Sequence, residues 1–147
     1  MGASGSRVRH WAEGGEPYNF RNALPQIGPD LTLICLTIND WAAGTSSASY
    51  KSDLQTMIDA ASVTGDVALM VGVPSNEGVA SIGAQDAIAA YMHEVANANN
   101  ILSLDLRYRW VGQDYMPMRG FYFDGLHPSN VGYSDIGQYV ARMIGNP

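Results

Sequence analysis

Three short stretches of the sequence carry residue types that can do acid–base or electrostatic chemistry. The sharpest is Phe123-Asp124-Gly125-Leu126-His127-Pro128-Ser129. An Asp three residues before a His can fold its carboxylate onto the imidazole Nδ1 when the turn between them is tight, and Gly125 permits such a turn. The carboxylate then fixes the tautomer and stabilises the imidazolium, which leaves Nε2 free to act as a base. Pro128 favours an extended backbone at His127 and so holds the ring just ahead of the element that follows. A plain Asp–His turn hydrogen bond uses the same spacing, and the spacing alone does not choose between the two.

The second stretch is Thr37-Ile38-Asn39-Asp40-Trp41, where an apolar run ends in Asn-Asp. Asn39 can offer its side-chain NH2 to a developing oxyanion, and a preorganised donor of this kind stabilises the transition state by on the order of 3 kcal/mol. An Asn-Asp pair after a strand is equally the mark of a simple turn. The third stretch is Gly2-Ala3-Ser4-Gly5-Ser6, in which a glycine N–H can approach a ligand; a flexible terminus reads the same way. Trp41 and Tyr122 are candidate walls of an acyl or sugar pocket, and packing residues otherwise. His10, among Arg7, Arg9 and Trp11, reads as a surface histidine close to Gly5, and His93 beside Glu94 as a solvated one. A metal site from Asp40, Asp124 and His127 would use the same side chains less well than a base and its orienter.

Elements that could position these stretches alternate along the chain. Residues 31–38 are almost continuously apolar and branched, as in a strand covered on both faces. Residues 66–73 read alike and stop at Pro74, and residues 101–106 form a third, shorter candidate. Helical spacing links Tyr50, Leu54, Met57, Ile58 and Ala61 over residues 50–63, then Ile88, Tyr91, Met92 and Val95 over 85–98. A last helix spans about 131–144, with Ile136, Tyr139, Val140 and Met143 facing inward, Ser129 or Asn130 as its cap and Gly145 beyond its end. Such alternation implies parallel strands joined by right-handed crossovers. Sites in these sheets form at the C-terminal strand ends, which selects Asn39-Asp40-Trp41, Pro74-Ser75-Asn76 and the loop holding Asp124 and His127. Residues 72–83 and 110–122 are the loop-like stretches, and long loops often carry function.

Composition bounds the rest. A chain of 147 residues suits one domain with a real core. The net charge is -6 with scattered cations, which argues against a nucleic-acid partner bound through a basic face. The longest apolar run, 31–38, is too short to span a bilayer. Residues 1–6 have neither the basic start nor the apolar stretch of a signal peptide. Cys35 is the only cysteine, so no internal disulfide forms, and within that run it reads as a buried small hydrophobe.

In order, Gly-x-Ser-Gly, strand-Asn-Asp, Phe-Asp-Gly-x-His-Pro-Ser and a final amphipathic helix resemble the SGNH (GDSL-type) serine esterase family over nearly the whole chain. Pro29-Asp30-Leu31 and Gly132 are similar to it as well. The resemblance implies an α/β fold, a flavodoxin-like three-layer α/β/α parallel sheet, N-terminally truncated, with residues 1–147 as a single domain lacking its first strands. It implies Gly5 and Asn39 as oxyanion donors, His127 as general base and Asp124 as its orienter, with no cofactor or metal. The substrate class implied is a small-molecule or carbohydrate acyl ester, an O-acetyl group being one option.

The family's Gly-Asp-Ser nucleophile block should precede Gly5, and only four residues do. Ser4 and Ser6 flank the oxyanion glycine, where a hydroxyl is poorly placed for attack, and Gly2-Ala3-Ser4-Gly5 is not a Gly-x-Ser-x-Gly elbow. The expectation is an esterase-type domain that is inactive alone and needs a complementary N-terminal segment. Its three strands should be parallel, with 66–73 central and 31–38 at an open edge prone to self-association. The alternative is a non-catalytic ligand-binding or truncated domain.

Overall fold

The computed structural model describes residues 4–15, 17–73, 85–110, 120–124 and 126–145. Gly2, Pro74-Ser75-Asn76, Gly125 and most of the loop-like stretches 72–83 and 110–122 lie outside them. The chain is mixed α/β with a parallel sheet and divides into two compact units, residues 1–72 with 85–105 and residues 73–84 with 106–147.

The first unit runs α1 (Val8–Glu13), α2 (Phe20–Ile27), β1 (Leu31–Ile34), α3 (Ile38–Ala42), α4 (Ser47–Ala61), β2 (Asp66–Val71), α5 (Asp86–Asn99) and β3 (Leu102–Asp105). The strands are parallel in the order β1-β2-β3, so among the described residues β2 is central and β1 lies at an edge, as expected. Register pairs Thr32 with Val67 and Ile34 with Leu69. Because side chains alternate between faces, these residues and Val71 share one face of the sheet. Ile34, Val67, Leu69 and Val71 join the buried stripes of α4 and α5 there in one core. The α4 stripe is the expected one, Tyr50, Leu54, Met57, Ile58 and Ala61. Its first turn is capped by the Ser46 hydroxyl, which accepts the Ser49 N–H at 3.3 Å. Asn100, in the left-handed region at φ 53°, ends α5 by donating its N–H to the Ala96 carbonyl.

Three expectations need correction. The strand expected over 31–38 stops at Ile34, and Ile38 opens a helix instead. Between them the chain is held out of strand register by Tyr50, fully buried, whose hydroxyl donates to the Leu36 carbonyl at 2.7 Å. Cys35 is exposed rather than buried, since it lies past the end of β1, a strand whose described partner is on one side only. His93 is half-buried rather than solvated: its ring is 2.8 Å from the Ser103 hydroxyl and 3.4 Å from the Asp105 carboxylate, tying α5 to β3.

In the second unit the described elements are a tight loop and α6 (Asn130–Gly145). Tyr122 and Pro128 form an antiparallel bridge, while Phe123 N–H donates to the His127 carbonyl and Ser129 N–H to the Phe121 carbonyl, at 2.9 and 2.8 Å. Of the two expected caps it is Ser129 whose hydroxyl accepts the Gly132 N–H, at 3.2 Å. Trp110 is buried edge-on to Phe121 and Tyr122, and its indole N–H donates to Asp135 at 2.8 Å. Arg109 grips the same carboxylate with two nitrogens. The inward stripe of α6 is weaker than its spacing predicts: Ile136, Tyr139 and Val140 are half-buried and Met143 is exposed. Tyr139 instead stacks under the Arg109 guanidinium, 4.8 Å from its ring centre. Among the described residues no helix is long and apolar enough to cross a membrane.

At Gly132 α6 packs closely against the loop. A Cβ there would lie 2.2 Å from the Phe121 carbonyl oxygen and 2.9 Å from the Trp110 ring. Gly132→Ala is therefore expected to destabilise the chain by about 1–3 kcal/mol, the usual cost of overpacking, read from urea denaturation midpoints. An unchanged midpoint would mean that this contact is looser than described.

Candidate active site

The loop of the second unit brings Asp124 onto His127 as the spacing suggests. One carboxylate oxygen, Oδ1, accepts the backbone N–H groups of Leu126 and His127 at 2.8 and 2.6 Å, and Oδ2 lies 2.9 Å from His127 Nδ1. Both side chains are exposed to solvent. The imidazole hydrogen bond, reinforced by the two backbone donors, holds the Asp124 carboxyl down to about 2. A carboxylate so fixed orients the ring through Nδ1 and leaves Nε2 to exchange a proton.

In the first unit the end of β1 carries a second constellation. Asn39 Nδ2 donates to the Ser6 carbonyl at 3.0 Å, which leaves it one further amide hydrogen to offer. Its neighbour Asp40 is almost wholly buried. Its Oδ2 accepts the Val8 N–H at 2.9 Å and its Oδ1 the Thr45 hydroxyl at 3.1 Å. Burial pushes the Asp40 carboxyl above its ordinary range, and these two hydrogen bonds pull it part of the way back. Adjacent side chains of α3 thus fasten the segment from Ser6 to Val8 to the strand end. Gly5, one residue before that segment, is exposed with φ +67°, a left-handed conformation suited to glycine.

The other candidates divide. Both oxygens of Asp40 are engaged internally, so its work is to anchor α1, a role the sequence did not show because its partner is 32 residues away. His10 accepts the Arg7 N–H through Nδ1 at 3.2 Å, closing the first turn of α1, and its ring lies 5.1 Å from that of Tyr18. Trp41 is half-buried. Tyr122 is buried edge-on to Trp110, and burial pushes its phenol up to about 12. Among the described residues no three His, Cys, Asp or Glu side chains cluster as metal ligands.

The sequence model described as the GDSL-like lipase/acylhydrolase family matches residues 1–134. No curated protein matches the chain. Among solved structures, a GDSL-like lipase from Bacteroides thetaiotaomicron superposes with a TM-score of 0.70 at 20% identity, covering 99% of this chain and 74% of that one. A peptidoglycan O-acetylesterase gives 0.79 at 15% identity, covering 99% of this chain and 45% of that one. An acetylxylan esterase from Geobacillus stearothermophilus gives 0.69 at 18%, covering 97% and 69%. The chain therefore spans about three quarters of the first of these and less than half of the second. At such identities the likeness establishes the fold.

The Asp124 turn carries its own pH signature. A carboxyl lowered from 3.8 to about 2 lends stability that is complete above the ordinary value and disappears as the pH falls through the lowered one. The amide resonances of Leu126 and His127 should titrate with a midpoint close to 2. A midpoint at 3.8 or above would show that the carboxylate is not held as described.

Proposed function

Because the chain belongs to the GDSL-like lipase/acylhydrolase family, whose members are carboxylic ester hydrolases, we propose that it is the base-bearing part of a serine esterase acting on carbohydrate O-acetyl esters. The observation that carries this reading is the bond of Asp124 to His127 Nδ1 at 2.9 Å, secured by two backbone N–H groups on the other oxygen. In the reaction, His127 Nε2 takes the proton of a serine hydroxyl as that oxygen attacks the ester carbonyl. Gly5 N–H and Asn39 Nδ2 receive the oxyanion, and the imidazolium returns its proton to the departing alcohol. Water, deprotonated in the same way, then releases the acid.

The serine is neither Ser4 nor Ser6 in this reading, because both flank the residue that binds the oxyanion; it belongs to a Gly-Asp-Ser block outside the 147 residues. Support for an acetyl substrate comes from fold neighbours named as a peptidoglycan O-acetylesterase and an acetylxylan esterase.

The test is hydrolysis of p-nitrophenyl acetate and of acetylated xylan, with and without an added N-terminal strand ending in Gly-Asp-Ser. The 147-residue chain should show little or no turnover and the extended one should be active. His127→Ala should abolish that activity, and Asn39→Ala should lower kcat by roughly 10²–10³ as expected for one oxyanion donor. Robust turnover by the unextended chain, lost on Ser4→Ala, would overturn the assignment.

A further inference from the structure

Away from the site already described, three polar side chains meet where α5 packs on β3 in the first unit. His93 Nδ1 lies 2.8 Å from the Ser103 hydroxyl, and its Nε2 lies 3.4 Å from the Asp105 carboxylate. Ser103 and Asp105 are two residues apart on β3, so both point to one face of the strand, the face that receives His93 from α5. Among the described contacts of the chain's three histidines, this ring is the one that joins a hydroxyl to a carboxylate.

The carboxylate decides how the protons lie. An ionised Asp only accepts hydrogen bonds, so Nε2 of the neutral ring carries the hydrogen and Nδ1 is bare. Nδ1 then accepts from the Ser103 hydroxyl, and its lone pair faces the proton that a base would remove. Once the ring takes that proton its charge is met by Asp105, and a contact of 3.4 Å has room to shorten as it becomes charge-assisted. Hydroxyl, imidazole and carboxylate thus stand in the order that activates a serine. Unlike a tie buried in the core, this one is open to solvent. The His93 side chain is 34% exposed and that of Asp105 21%, while Ser103 is half-buried. Among the described residues β3 is hydrogen-bonded only to β2, so a small reagent can reach the hydroxyl from the edge of the sheet.

We propose that Ser103 is a nucleophilic site in its own right, which takes an acyl group from small esters with a good leaving group, with His93 as its base and Asp105 as the orienter of that base. The Ser103 hydroxyl proton passes to His93 Nδ1 as Oγ bonds to the ester carbonyl carbon. The bond from that carbon to the alkoxy oxygen then breaks, and the alcohol leaves with the proton from Nδ1. Asn39, an oxyanion donor of the esterase reading, belongs to the end of β1, and β2 lies between that strand and β3. The ester must therefore bring a leaving group good enough to depart without such a donor. The alkyl ester left on Ser103 is a weaker electrophile and hydrolyses slowly. This site does not depend on the esterase reading.

The probe is p-nitrophenyl acetate, added to the 147-residue chain. Nitrophenolate should appear as a burst of about one equivalent with little turnover after it, the kinetic mark of an acyl intermediate. Mass spectrometry of the digested chain should place the acetyl group on Ser103, and Ser103→Ala should remove the burst. His93→Gln keeps a donor and an acceptor between the same neighbours but cannot take up a proton. It should slow acetylation about a hundredfold, the worth of a general base, at an unchanged melting temperature. Asp105→Asn, which leaves the imidazolium without a counter-charge, should slow it as well. The unaltered chain gives a second measurement that no loss of folding can blur: its acetylation should be slower in D2O than in H2O, because a proton moves as Oγ attacks.

An acetyl group found on a lysine, a tyrosine or Cys35 with Ser103 unmodified would overturn the proposal. So would equal rates in the two solvents, or a His93→Gln chain acetylated as fast as the unaltered one, which would make the three side chains a packing contact. A burst that survives Ser103→Ala and is lost in His127→Ala would overturn it too, and would move the nucleophile to the other site.

Discussion

The N-terminal end of the first unit depends on one hydrogen bond, from the Val8 N–H to the buried carboxylate of Asp40. Helix α1 has six residues, too few to persist on its own, because helix nucleation is costly and each further residue returns little. Its orphan N-terminal donors need an acceptor, and a carboxylate at a helix N-terminus is favourable both as a partner and as a charge. Asp40 answers that need from α3, which is placed in turn by the end of β1 and by Tyr50 holding the Leu36 carbonyl. Order thus passes from the sheet through α3 to α1 and the residues before it. Asn39, next to Asp40, makes use of that order when it reaches the Ser6 carbonyl.

The two carboxylates that matter most show how setting decides charge. Asp124 stands in solvent and receives three hydrogen bonds from its own turn, so its proton is held only weakly. Asp40 is buried with two donors, and desolvation outweighs them. The first suits a group that must stay ionised while it steers an imidazole. The second suits a tether: removing it would leave two donors unpaired, which is costly wherever water cannot reach them.

What could be read from the sequence follows the range of each interaction. The stripes of α4 and α5 were legible because helical periodicity is written in consecutive residues. Asp124 and His127 were legible for the same reason, being three residues apart. The short helices α1, α2 and α3 were not: six, eight and five residues hold too few turns to display a period, and α2 contains Pro25. The end of β1 was missed because residues 35–38 remain apolar, and only the Tyr50 bond to Leu36 reveals that the chain has left the sheet. Asn39 to Ser6 and Asp40 to Val8 span 33 and 32 residues, a separation at which no local pattern gives warning. His93 looked solvated on its helix because Ser103 and Asp105 come from the next strand.

Amide hydrogen exchange at Val8 measures the governing bond directly. In the unaltered chain this amide should be protected although it opens a six-residue helix, a position that would otherwise fray. Asp40→Ala should speed its exchange about ten- to a hundredfold, the range expected on losing a hydrogen bond to a charged group, and leave Ala68 and Leu69 of β2 unchanged. A Val8 amide that exchanges freely in the unaltered chain, or one indifferent to Asp40→Ala, would contradict the claim that Asp40 holds this end of the structure together.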